Sequence, residues 1–402
     1  MKITRISLED YRNYGRLDMT VGPSVNILYG DNAQGKTNLI DAICYATGLE
    51  SCRNSGDREM VMFGRTGYKI DINAEDDDGS KVDIRVDYDI NNDRKTLYID
   101  NIKISRTAEF INVCNTVIFT PEDLKIVKSL PVNRRRFINS LITKVSPSYI
   151  NSLYTIQRLS GQKNNFLKKL KFDSSYKGDG QMELDMLDFS IADTSADIIL
   201  ARYRFILLLS QYSAEYHRQI SDDNEELKIS YNTITGCIDL LKAFLVENDN
   251  LPVFLSYGLS GADYGKIKGI LSDYILNKIR NARKTDIEHG YSSVGTHKDD
   301  LTILINDMPA KDYASQGQQR SAALSLKAAE LEIVRRFVSS TPVILLDDVF
   351  SELDAKRRQK IVDIMKDAQI FITCTDKEGS GKLFDNEVRY FRVDNGTVSE
   401  EN

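Results

Sequence analysis

The sequence predicts an α/β nucleotide-binding fold interrupted by a mainly helical lobe, and three observations carry that expectation. Near the N-terminus an apolar strand-like run enters a glycine-rich turn and then a helix. Near the C-terminus a fully apolar run ends in two aspartates. Between them, from about Pro131 to Tyr291, apolar residues recur at helical spacing.

The elements can be taken in chain order. The first ~120 residues alternate short β-rich runs with turns: Ile3–Leu8, Val25–Tyr29, Tyr68–Ile72, Val82–Tyr88, Lys95–Ile99 and Val113–Phe119. One helix, Lys36–Thr47, interrupts them and stops at Gly48. The acidic turn at Glu75–Gly79 and the Asn91-Asn92-Asp93 turn separate strands as hairpins do. In the middle lobe Ile267, Ile270, Leu271, Tyr274, Ile275 and Ile279 repeat every three or four residues, and Gly290 follows as a stop. Leu227–Thr235 is the single β-like run there, and Asp173–Gly180 reads as a loop. After Ser292 strand and helix alternate again. The expected division is 1–130 as the first part of the α/β lobe, 131–290 as the helical lobe, and 291–402 as the second part of the α/β lobe. Heptads are not sustained, so long coiled-coil arms are excluded.

Composition narrows the class. The 402 residues carry 53 Lys+Arg against 59 Asp+Glu, with 41% hydrophobic and 28% charged residues, which suits a folded soluble chain. No run nears the ~18 apolar residues of a membrane span, and MKITRISLEDYRNY is no signal peptide. A cytoplasmic protein without a membrane partner is expected. The five scattered cysteines lack a C-x-x-C pair and read as reduced thiols. The net charge of −6 argues against a polyanionic partner until it is divided by segment. Residues 1–120 sum to −4, residues 121–177 to +9, and residues 178–402 to −11. A basic block therefore stands inside an acidic chain.

The most specific local signal is Gly30-Asp31-Asn32-Ala33-Gln34-Gly35-Lys36-Thr37, followed by Asn38, in the pattern G-x-x-x-x-G-K-T between a strand and a helix. The two glycines allow a tight loop whose backbone N–H groups face phosphate oxygens, and the helix N-terminus adds its dipole. Lys36 would meet the β- and γ-phosphates and Thr37 would offer a hydroxyl to Mg²⁺. ATP and Mg²⁺ are thus the expected cofactors. The second half of the site is the strand Val343–Leu346 ending in Asp347 and Asp348. Asp347 is placed to hold the metal and Asp348 to act as general base on water. A third motif, Ser315-Gln316-Gly317-Gln318, opens an amphipathic helix with Ser315 as a natural N-cap.

The order of phosphate loop, inserted lobe, S-x-G-Q helix, L-L-D-D strand and Ser351-Glu352-Leu353-Asp354 resembles the ABC-type ATPase heads of the SMC and Rad-fifty class. The strings GDNAQGKTNLIDAI, GTHKDDL, ASQGQQRSAALSLKAAE and LLDDVFSELD are similar to the bacterial RecF recombination and repair family. ITRISLEDYRNY and IFTPEDLKIVKSLPVNRRRFIN also resemble it. The resemblance implies an ATP-dependent homodimer in which the phosphate loop of one subunit and Ser315–Gln318 of the other enclose each nucleotide. Ser351, Glu352 and Asp354 would form the D-loop. It further implies DNA binding in the ATP state and recombinase loading at gaps with RecO and RecR partners.

Where many ABC heads have glutamate, this chain has Asp348, one methylene shorter, so slow hydrolysis that acts as a switch is expected. Thr375 stands as the substitute for a switch histidine, and no glutamine marks a Q-loop near Phe119–Glu122. Within the basic block, Lys163, Lys168, Lys169 and Lys171 are the expected DNA contacts, sequence-independent because phosphates carry no code. Arg134-Arg135-Arg136 suits either DNA or an intramolecular role. A structural DNA-tethering head is disfavoured by the absent heptad arms, and a transporter ATPase by the long insertion and the missing histidine.

Overall fold

The computed structural model describes residues 1–401 apart from 54, 77, 112, 173–179, 339, 376, 378–380, 385 and 386. The expected Asp173–Gly180 loop lies almost wholly outside the described residues. Two compact units are formed. The first contains Met1–Leu124, Glu215–Glu225 and Arg320–Asn402, and the second contains Lys125–Ala214 and Glu226–Gln319. The linear division at 130/131 and 290/291 is thereby corrected. Residues 291–319 belong with the helical unit because Asp300–Ile305 completes a sheet with Leu227–Asn232, whereas residues 215–225 belong with the α/β unit.

The first unit is built on two sheets. One is antiparallel, from β1 (Lys2–Tyr11), β2 (Tyr14–Thr20), β4 (Gly67–Glu75), β5 (Lys81–Asp89), β6 (Arg94–Ile99) and β7 (Ile102–Ile104), in the order β2-β1-β4-β5-β6-β7. The other is mainly parallel, from β3 (Val25–Tyr29), β8 (Thr116–Phe119), β12 (Val343–Asp347), β13 (Ile370–Cys374), β14 (Val388–Asp394) and β15 (Thr397–Glu401). Its order is β15-β14-β3-β13-β12-β8, with only β15 antiparallel. In the first sheet Ile6, Leu8, Ile70, Ile72, Ile84 and Val86 alternate inward, whereas β12 is buried throughout, as a parallel strand covered on both faces must be.

Helix α1 (Lys36–Gly48) packs on both sheets, which explains why Leu39, Ile40, Ile43 and Tyr45 are all buried around its circumference. The hairpin strand β2 was not expected from the sequence. Arg12 adopts a φ of 50° at its turn, a conformation that no Gly or Asn-Gly announces.

The second unit holds α2 (Pro131–Val145), α3 (Tyr149–Phe172), most of α4 (Gly180–Ser221) and α5 (Gly261–His289). Its sheet has the order β11-β10-β9, with β9 (Leu227–Asn232), β10 (Asp300–Ile305) and β11 (Met308–Pro309). Two later helices, α6 (Gln316–Phe337) and α7 (Ala355–Ile364), follow in the chain. Among the described residues no helix is long and apolar enough to cross a membrane.

Candidate nucleotide-binding site

The phosphate loop leaves β3 and enters α1. Gly30 has φ +145°, and a Cβ there would stand 2.4 Å from the carbonyl oxygen of Val393, so only glycine fits. Gln34 anchors the far side of the loop. Its backbone oxygen accepts from Asn13 Nδ2 at 3.0 Å and from the Gly396 N–H at 3.0 Å, and its side-chain oxygen accepts from the Asn395 N–H at 2.7 Å. Asp31, Asn32 and Ala33 remain exposed at the crest. Asn38, on the first turn of α1, donates to Asn13 Oδ1 at 2.7 Å and accepts from Arg53 at 3.3 Å. Lys36 folds its ammonium back over the loop and donates to the carbonyls of Gly30 at 2.6 Å and Asp31 at 2.7 Å. Burial pushes its pKa down, opposed by Cys374, Asp348, Asp347 and Asp31. A group of phosphate oxygens is the kind of acceptor that would draw such a cation off its own loop.

Sheet order explains the rest of the site. β13 lies between β3 and β12, and its residue Thr373 is in register with Leu28 on one side and Asp347 on the other. Thr373 donates to Asp347 Oδ1 at 2.8 Å and accepts from the Asp348 N–H at 2.9 Å. Thr37 donates to the same Asp347 oxygen at 2.9 Å. Asp347 is 7% exposed, and burial raises its pKa against the hydrogen bonds from Thr373 and Thr37. A buried carboxylate that shares one oxygen between two hydroxyls, Thr37 and Thr373, fits the donor set of a hard divalent ion. Thr37 and Asp347 would hold Mg²⁺, which would neutralise phosphate charge there.

Asp348 is exposed and takes a φ of 53°, a left-handed conformation unusual for a residue other than glycine. Its backbone is pinned on both sides, by Thr373 and by Ser351, whose hydroxyl donates to the Asp348 carbonyl at 2.8 Å. Asp354 caps α7, accepting from the Arg357 N–H at 2.9 Å. Chiefly that bond, together with Arg357's charge, lowers its pKa. Glu352 belongs to the short helical turn Phe350–Glu352. Thr375, the expected switch residue, is exposed beyond the end of β13, and the threonine that contacts the aspartate is Thr373.

The S-x-G-Q segment lies in the second unit and forms a capping box. The Gln318 N–H donates to Ser315 Oγ at 3.2 Å, and the Ser315 N–H donates to Gln318 Oε1 at 2.8 Å. Ser315 and Gln316 are exposed. A Cβ placed on Gly317 would meet only Ser315 Oγ, at 4.0 Å, so no close packing within the chain demands a glycine there.

Among the lysines expected to reach DNA, Lys168, Lys169 and Lys171 are exposed. Lys163 must be withdrawn: it is 1% exposed, 2.8 Å from Asp188 and 3.9 Å from Asp286, both fully buried. A charge so enclosed serves its buried partners. Arg134 is structural too. It forks onto Asp300 at 2.6 and 2.9 Å and donates to the Ser129 carbonyl at 2.8 Å, while Arg135 donates to the Asp299 carbonyl at 2.8 Å.

Residues 2–399 match the model of the RecF/RecN/SMC N terminal domain. The chain is 34% identical over 398 residues to the DNA replication and repair protein RecF of Ruminiclostridium cellulolyticum, covering 99% of each chain. The chain belongs to the RecF family of DNA replication and repair proteins. The RecF of Clostridium tetani is 33% identical, with 100% of both chains covered. Among solved structures, the recombination mediator protein RecF-ATP in the RecFOR pathway superposes with a TM-score of 0.85 at 29% identity, covering 100% of this chain and 98% of that one. An Smc head domain from Pyrococcus furiosus gives 0.52 at 14% identity, over 100% of this chain and 96% of the other, a likeness of fold alone. The RecF membership and the ABC-type head with a helical insert, both expected from the motifs, hold. Asn13, Arg53 and Thr373 were missed, since each acts through a partner distant in sequence.

Proposed function

We propose that this RecF family member is a cytoplasmic, ATP-switched DNA clamp that serves DNA replication and recombinational repair. The observation that carries the reading is the meeting of Thr37, Asp347 and Thr373 beside Lys36, a charge arrangement suited to a nucleoside triphosphate. The solved RecF relative named with ATP supports it. Backbone N–H groups of the Gly30–Thr37 loop and the N-terminus of α1 would receive the phosphates, and Lys36 would exchange its loop carbonyls for phosphate oxygens. Asp348 would take the proton of the attacking water. Its shortness keeps turnover slow, so ATP acts as a timer on assembly.

In this reading the bound γ-phosphate is shared with Ser315–Gln318 of a second copy. Its exposed capping box presents a helix N-terminus to an anion that its own subunit need not supply. Closure of the dimer holds duplex or gapped DNA, and hydrolysis opens it, most readily when DNA is bound. Mediator proteins of the RecO and RecR type then join at the gap, in keeping with the RecFOR pathway named for the solved relative. Exposed Lys168, Lys169 and Lys171 supply backbone contacts of no sequence preference.

Sedimentation velocity and DNA binding with and without ATP test the proposal together. A dimer and tighter DNA binding are expected only with ATP. A chain that stays monomeric and binds DNA equally in both conditions would refute the clamp.

A further inference from the structure

The end of α5 carries a feature that neither the nucleotide site nor the lysines account for. Gly290, at φ 79°, terminates the helix, and its N–H donates to the Asp286 carbonyl at 2.8 Å. The left-handed turn brings the residues on either side together. His289 and Tyr291 stack with ring centroids 5.4 Å apart and planes 18° apart, and both are exposed, Tyr291 by 51%. The backbone that follows the turn is also held in place. The Ser292 N–H donates to Asn164 Oδ1 at 2.8 Å, and the Ser293 N–H donates to Asp286 Oδ1 at 2.9 Å. Asp286 in turn sits in the buried network of Lys163 and Asp188. The misassigned Lys163 thus supports this turn from inside.

Cations border the pair. A methyl group on Gly290 would stand 3.4 Å from Cδ of Lys171 and 3.6 Å from Cγ of Lys168, so both stems run past the turn. Lys171 Nζ reaches the His289 carbonyl at 3.4 Å and lies 5.7 Å from the ring of Phe172, itself 82% exposed. Two flat rings left in water, with the Lys171 ammonium at the His289 carbonyl and the Lys168 stem beside the turn, suit one ligand chemistry: a π-face attached to an anionic backbone.

We infer that the His289–Tyr291 pair is a stacking platform for an unpaired nucleic-acid base, with Lys168 and Lys171 on the flanking phosphates. The inference rests on the reading of the chain as a DNA-binding protein and specifies what it adds, recognition of a single-stranded segment beside duplex. A phosphate contact is blind to pairing, whereas a base can stack on protein only once it leaves its own stack. The platform therefore lets a clamp of otherwise indifferent charge prefer a gap.

The experiment uses the full chain with ATP and three DNAs: blunt duplex, gapped duplex with 2-aminopurine in the gap, and a single strand carrying the same base. Wild type should quench the 2-aminopurine. Tyr291→Ala should abolish the quenching and weaken gapped and single-stranded binding roughly tenfold, with blunt duplex unchanged. Tyr291→Phe should behave as wild type. If Tyr291→Ala leaves quenching intact, or weakens all three DNAs alike, the platform is wrong. The double variant Lys168→Glu, Lys169→Glu separates the two readings. Weaker binding of every DNA by that variant, alongside an inert Tyr291→Ala, removes the platform and keeps the DNA face. No effect from either variant on any DNA removes both.

Discussion

Thr37 donates its hydroxyl to Asp347 across 2.9 Å, although the two stand 310 positions apart. The bond joins the end of the phosphate loop to the end of β12, and every property proposed for the nucleotide depends on that junction. Lys36→Arg should leave thermal stability near wild type while abolishing ATP-stabilised dimers, because the longer fork cannot occupy the same loop. Asp348→Asn should do the reverse and accumulate dimers, since binding groups persist without the base. Sedimentation velocity with ATP distinguishes the two, and dimers of equal abundance in both variants would contradict the assigned roles.

Thr373 and not Thr375 should govern the acid pair. Thr373→Val removes a donor to buried Asp347 and an acceptor for the Asp348 N–H. It should cost about 1–3 kcal/mol in stability and slow ATP hydrolysis more than it weakens ATP binding. Thr375→Ala, at an exposed position, should change neither. Denaturant titration and single-turnover hydrolysis of the two variants check the contrast.

Gly317→Ala should separate stability from assembly. Alanine is favoured over glycine by about 1 kcal/mol inside a helix, and the space around Gly317 is open. The variant should therefore be as stable as wild type or slightly more so, yet form fewer ATP-dependent dimers, because a methyl group would stand where the partner's nucleotide is to approach. Unimpaired dimerisation would remove Ser315–Gln318 from the interface.

A pH dependence follows from His217 in the first unit. The ring is fully buried, with Nε2 3.0 Å from Glu225 and Nδ1 3.2 Å from Ser325 Oγ. Burial lowers its pKa below the ordinary 6.5, assisted by Arg357 and opposed by Glu225. In the window beneath 6.5 the unfolded chain binds the proton more readily than the folded one. Stability from this group is thus present above that value and is lost as pH falls toward the lowered pKa. Thermal melts between about pH 7 and pH 5 should show a slope of up to ~1.4 kcal/mol per pH unit, and His217→Gln should flatten it. An equal slope in the variant would assign the effect elsewhere.

Much of the nucleotide site was legible because its motifs are local. Gly30 through Thr37 must be contiguous to form one loop, and an apolar run ending in Asp347 and Asp348 announces a buried parallel strand by itself. Ser315 before an amphipathic run announces an N-cap by itself, and the structure adds the return bond from its N–H to Gln318 Oε1. Burial of charge was not legible. Lys163 and Lys168 look alike in a basic run, but one turns inward to Asp188 and Asp286, and only packing distinguishes them. Thr373 was hidden for a similar reason. Its role comes from the placement of β13 between β3 and β12, which sheet order decides and local spacing does not.

The sequence by itself determined the chemistry this protein presents: a phosphate loop, a paired carboxylate strand, a capped signature helix and a basic segment within an acidic chain. Tertiary structure alone decided which threonine supports the acid pair, where residues 291–319 belong, and which lysines meet solvent. It also brought Tyr291 beside Lys168 and Lys171. The physical reason is range, since turns, caps and loops are set by bonds between near neighbours. Burial, sheet order and surface juxtaposition depend on contacts between residues that only the folded core brings together.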